Sequence, residues 1–137
     1  MGERIRGHRD LIAWRKAMAL AERVYEVCGH FPERERFGLW SQMTRAASAI
    51  PANIAEGHGR SGAAEFAQFV SIARGSLSEL DTFVELASRL GYLADPERAA
   101  ISQDIDELIR ILTGLARSLR GERRSGAASV SRPASLV

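Results

Sequence analysis

The 137-residue chain predicts an all-α fold: an antiparallel up-down-up-down four-helix bundle, with helix 2 kinked at Pro51. Three observations carry that expectation. Apolar residues recur at alternating steps of three and four, the period of a helix face rather than of a strand. The breaks between these runs are only a few residues long, which makes consecutive helices antiparallel neighbours. Hydrophobic residues at 45% and charged ones at 26% give an ordinary globular balance, with enough length for one core and not two. The expected division is a flexible basic N-terminus (1–9), the bundle (10–120) and a disordered tail rich in Arg, Ser and Ala (121–137).

Helix 1 follows Asp10, whose carboxylate is suited to an N-cap. Two apolar stripes run along it. Leu11, Trp14, Met18, Ala21, Tyr25 and Cys28 form one heptad line; Ala13, Ala17, Leu20, Val24, Val27 and Phe31 form the other. Together they span about 160°, wider than the roughly 100° that one core contact needs. Helix 1 therefore has apolar surface to share, with a neighbouring subunit as one destination and deep burial as the other. Gly29 and Pro32 end it.

Helix 2 starts near Glu33 or Glu35, acids that favour the positive end of a helix dipole. Leu39, Trp40, Met43, Ala46, Ala47, Ile50 and Ile54 form its core arc. Gln42, Arg45, Asn53 and Glu56 cluster on another face. Pro51 has no amide hydrogen and its ring presses on the Ala47 carbonyl, so a kink or a split is expected, with Asn53 or an Arg satisfying that carbonyl. Gly57 suits the left-handed position after the helix and Ser61 the next cap. Helix 3, about 63–90, carries Phe66, Val70, Ala73, Leu77, Leu80, Val84 and Ala87 in one stripe. Beside it run Phe69, Ile72, Ser76, Glu79, Phe83, Leu86 and Leu90. Glu79 is thus expected among core neighbours, paired with Arg45 or Arg60 to offset its burial. After Gly91, Asp95-Pro96-Glu97 spells a cap, a first-turn proline and a first-turn acid. Helix 4 has Ile101, Ile105, Leu108, Leu112, Leu115 and Leu119, and its pattern stops after Arg120.

Charge is unevenly spread. Three Arg and one Glu in the first nine residues, and five Arg and one Glu from Arg117 onward, carry +6 between them, leaving the body at −4 of the total +2. Any nucleic-acid contact made through charge then falls to the ends, with Arg4, Arg6, Arg9, Arg117, Arg120, Arg123 and Arg124 as candidates. Lys16 is the sole lysine; a codon bias explains that Arg excess as well as phosphate recognition does. Cys28 is the one cysteine, so no internal disulfide forms and a reducing cytoplasm fits. No signal peptide and no apolar run of about 18 residues is visible, so no membrane contact is expected.

Chemistry is harder to find. No Glu-x-x-His step for a bundle metal site exists among His8, His30 and His58, and no cysteine pair for zinc, so no metal or cofactor is expected. The glycines at 57, 59 and 62 lack the strand and spacing of a phosphate loop. Glu56 and Glu79 are acid and base candidates without a nucleophile or activated histidine, and a structural ion-pair role suits them better.

With these residues in view, the chain resembles the four-helix-bundle family of 23S rRNA intervening-sequence proteins over about residues 10–119. Asp10-Leu11, Trp14, Ala17, Phe31-Pro32 and Glu35 carry the likeness first. Leu39, Gln42, Arg45-Ala46, the run from Ile50 to Gly57, and Arg60 follow. Glu65-Phe66, Ala73, Gly75-Ser76, Glu79-Leu80 and Gly91-Tyr92-Leu93 complete it. The resemblance implies a bacterial homo-oligomer, with pentameric relatives, and no enzymatic activity. A similar protein is the accessory subunit of diversity-generating retroelements, which binds a reverse transcriptase and nucleic acid; the acidic body here departs from that pattern. The motif's polar positions, Gln42, Arg45, Asn53, Glu56, Arg60 and Glu79, are the interaction candidates, read as a network that steadies the kink and joins subunits. Helix 1 and the small residues Ser41, Thr44, Ser48 and Ala55 of helix 2 are the expected subunit contacts. The resulting expectation is a non-enzymatic scaffold whose partners are itself and either RNA, DNA or a nucleic-acid-processing protein. A protein adaptor without nucleic acid is the alternative, and a small carboxylate-based enzyme a more distant one.

Overall fold

The computed structural model describes residues 5–123, of which the last two contribute backbone only. Four helices and no strand occur among them: α1 (Ile12–Cys28), α2 (Leu39–His58), α3 (Ala63–Arg89) and α4 (Asp95–Arg123). Short 3₁₀ turns at His8–Asp10 and Glu33–Glu35 precede α1 and α2. Each helix packs on its chain neighbours and α1 closes on α4, so α1 stands opposite α3 and α2 opposite α4. Lys16 meets Glu107 and Arg23 meets Asp104; residue numbers rise along α1 as they fall along α4. The result is a four-helix bundle.

The core follows the heptads. Of the two α1 stripes, the one from Ala13 to Phe31 turns wholly inward, and Leu20, Val24, Met43, Ile50, Leu77, Leu80, Ile105 and Leu108 are at most 1% exposed. Trp40 is only half-buried, so its loss costs less than that of a sealed core residue. α2 continues through Pro51 without being split. The Asn53 amide donates to the Ala49 carbonyl at 2.8 Å, not to that of Ala47, because one helical turn is all its short side chain spans.

Helix ends depart from the expectations in instructive ways. Asp10 does not cap α1: Leu11 holds that position without a side-chain cap, and the Asp10 carboxylate instead accepts from the Arg6 amide at 2.8 Å. The preceding 3₁₀ turn has claimed it. Glu35 does serve α2, accepting from the Leu39 amide at 3.1 Å. Gly57 lies inside α2 rather than after it, buried where a Cβ would come within 2.6 Å of the Phe69 Cβ. Close approach of α2 and α3 requires the glycine there. Gly62, with φ at 116°, occupies the N-cap position of α3 in place of Ser61. Asp95 begins α4 instead of capping it, and Glu97 reaches back to accept from the Ala94 amide at 3.2 Å, half of a capping box. The α4 backbone runs three residues past Arg120.

Candidate functional site

The outer stripe of α1 remains available. Ala21 and Cys28 are buried, but Trp14 is half-buried, Met18 is 38% exposed and Tyr25 53%. Together with Glu22 they form one wall of a groove of about 540 Å³, whose other wall is Ser48, Pro51, Ala52 and Ala55 of α2. The sequence produces this shape simply. Long side chains on α1 stand opposite small ones on α2, and the difference in reach leaves a trough. Pro51 contributes a buried apolar ring and no amide hydrogen, so the groove floor gains no polar donor at that position. Tryptophan, tyrosine and methionine are enriched in the buried centres of protein interfaces.

Expected contact residues divide unequally. Ser48 and Ala55 line the groove. Thr44 does not: it is buried and its hydroxyl donates to the Trp40 carbonyl at 3.0 Å. Ala52, which was not among the expected contacts, lines the groove as well.

The six polar motif residues do not form one network. Glu56 and Arg60 make an exposed ion pair at 2.8 Å, and the Arg60 guanidinium lies 5.3 Å from the Phe69 ring centroid. Asn53 is engaged with its own helix. Gln42, Arg45 and Glu79 are exposed. Glu79 therefore corrects the expectation of a buried carboxylate: at 100° per residue its stripe turns away from the core line through Leu77 and Leu80, and none of the described residues covers it. Among the described residues neither it nor Arg45 has an ion-pair partner. Glu56 and Glu79 thus share no buried setting suited to acid–base work, and no group of three or more metal-ligating side chains occurs among the described residues.

Of the Arg candidates at the ends, Arg6 and Arg9 are exposed, with Arg9 stacked 5.5 Å over the Trp14 ring. Arg117 and Arg120 are exposed on the last turns of α4. Arg4, Arg124 and the side chain of Arg123 lie outside the described residues.

Sequence reasoning missed two carboxylate clusters. Glu35 accepts from the Leu39 amide and from the Tyr92 hydroxyl at 2.9 Å, and these two bonds, the backbone one foremost, hold its carboxyl below the ordinary 4.5. Glu85 accepts from Arg89 and Arg98, which lowers its carboxyl likewise. The first tie staples the start of α2 to the α3–α4 connection, the second joins α3 to α4. Only Glu85 and Arg89, four apart, show a local signal; Tyr92 and Arg98 meet their partners through the fold.

The sequence model of the 23S rRNA-intervening sequence protein family matches residues 9–114. The chain belongs to that family. No curated protein matches it. It is similar in fold to the crystal structure of a protein of unknown function from the S23 ribosomal protein family of Bacteroides thetaiotaomicron. The likeness has a TM-score of 0.70 at 24% identity, over 77% of this chain and 99% of that one. The family's name and that structure's description indicate no reaction, and no described helix is long and apolar enough to cross a membrane.

Proposed function

We propose that this intervening-sequence protein is a non-enzymatic homo-oligomeric scaffold of the cytoplasm, pentameric as the family resemblance implies, whose subunits meet through the α1–α2 groove. The observation that carries the reading is the groove itself: Trp14, Met18 and Tyr25 stay partly in water beside a wall of small side chains, although the same helix buries a complete second stripe. Apolar surface removed from water there contributes about 25 cal/mol per Å² before the costs of association.

An accompanying RNA or DNA contact, or one with a nucleic-acid-processing partner, would use arginines gathered by the ring, since repeated weak contacts add through effective concentration. What supports that part is the direction of α1 and α4. Residues before Lys16 and residues after Glu107 lie toward the same end of the bundle, so Arg6 and Arg9 share a pole with Arg117 and Arg120. An adaptor that binds only protein is the alternative.

Native mass spectrometry of the full chain tests both parts. A species of about 75 kDa, five times 15.0 kDa, is expected for a five-membered ring, and Met18→Glu, which sets a charge in the groove, should return it to monomer. Purification at low salt without nuclease should leave nucleic acid attached, and a chain ending at Arg120 should carry less. A wild-type monomer would refute the scaffold; a clean ring that never carries nucleic acid would favour the adaptor.

A further inference from the structure

A groove calls for a ridge, and a second apolar surface provides one. On the outer side of α3, Ile72 is 52% exposed, Leu86 45% and Leu90 51%. Phe69 on the same stripe touches Gly57 of α2, so this ridge belongs to the α2–α3 side of the bundle, next to the face that holds the groove. A twofold pairing of groove with groove would set two concavities together. Groove with ridge is complementary, and it uses different surfaces on each copy.

Charge gives the register. Arg45 and Ala52 are seven residues apart on one line of α2, and Ala52 lines the groove. Ile72, Glu79 and Leu86 are likewise seven apart on one line of α3. Seven residues rise about 10.5 Å. When Arg45 of one copy meets Glu79 of another, Ile72 or Leu86, according to helix direction, reaches the level of Ala52. Both charged residues are exposed, and neither has an opposite charge three or four residues away on its own helix.

We propose that the α1–α2 groove of one copy receives the Ile72–Leu86 ridge of a second copy, with Arg45 of the first paired in trans to Glu79 of the second. This rests on the homo-oligomer reading and gives it an orientation. The two faces are neighbours around the bundle rather than opposite one another, so successive copies turn and can close into a small ring instead of running on in a straight filament.

Charge reversal tests the pairing by sedimentation of the full chain. Wild type should assemble; Arg45→Glu and Glu79→Arg should each raise the subunit dissociation constant about tenfold or more by setting like charges together. The double reversal should recover most of that loss. A monomeric wild type overturns the homo-oligomer reading beneath the proposal. Assembly by wild type and both single variants alike, or a double variant no better than either single one, overturns the pairing alone. Should a reversal unfold the chain, Arg45→Cys and Glu79→Cys keep the test. Treated as a mixture with a short bismaleimide, which spans the gap an Arg–Glu pair leaves between backbones, they should give a covalent dimer that neither gives alone, Cys28 being buried; failure of the mixture to cross-link overturns the pairing.

Discussion

The two flanks of α1 are finished differently. Toward α4 the seam is closed by Lys16–Glu107 at 3.1 Å and Arg23–Asp104 at 3.0 Å, charges that need no further partner. Toward α2 the flank is apolar and open, with Met18 and Tyr25 in water beside Ala52 and Ala55. The same 17-residue helix thus presents one completed edge and one incomplete edge. Its inward stripe supplies stability, and the open edge supplies surface that the monomer does not use.

Substitutions can test that division. The largest loss should come from the shared core: Ile50→Ala, at a site with no exposure, should cost about 2–5 kcal/mol in chemical denaturation. Gly57→Ala comes next, at about 1–3 kcal/mol, because the added methyl must push α2 from Phe69. On the closed edge, Arg23→Ala should cost at most about 1 kcal/mol, and less in high salt, since both partners are more than a third exposed. On the open edge, Tyr25→Ser should change monomer stability least of all. An unfolding midpoint shifted as far by Tyr25→Ser as by Ile50→Ala would show that the edge is structural.

Titration probes the stapled end of α2. The Glu35 carboxyl is held below 4.5 by the bonds from Leu39 and Tyr92, so its stabilising effect is present above that value and is lost as pH falls through the lowered one. Glu35→Gln should flatten the acid limb of stability measured below about pH 4.5. Cys28 behaves oppositely: burial pushes its thiol up to about 12, so the folded protein holds the proton and loses stability as pH rises beyond the ordinary 9.0. Alkylation at pH 8 should therefore proceed only in denaturant; rapid labelling of the native chain would show that α1 opens.

Heptads decided most of the architecture by themselves, because a period of 3.5 to 3.6 can be read without knowing what it packs against. They gave α3 to within a residue at its end, two apolar stripes on α1, and the core line of α4 except that Ala116 is buried there and Leu115 only partly so. The breadth of those stripes also pointed to apolar surface beyond one core contact, and two of the small α2 residues singled out, Ser48 and Ala55, lie in the groove wall opposite it. What local pattern leaves open is which stripe turns inward and which polar atoms meet. Asp10 looked like a cap, but a 3₁₀ turn took its carboxylate; Gly57 looked like a helix end, but Phe69 needed its space. Glu79 looked buried because its stripe is apolar above and below it, but the line through Leu77 and Leu80 took the core and left Glu79 in water. Periodicity is a property of one helix, whereas the direction of a stripe and the partner of a charge depend on residues far away in the chain, which come within reach only once four helices pack.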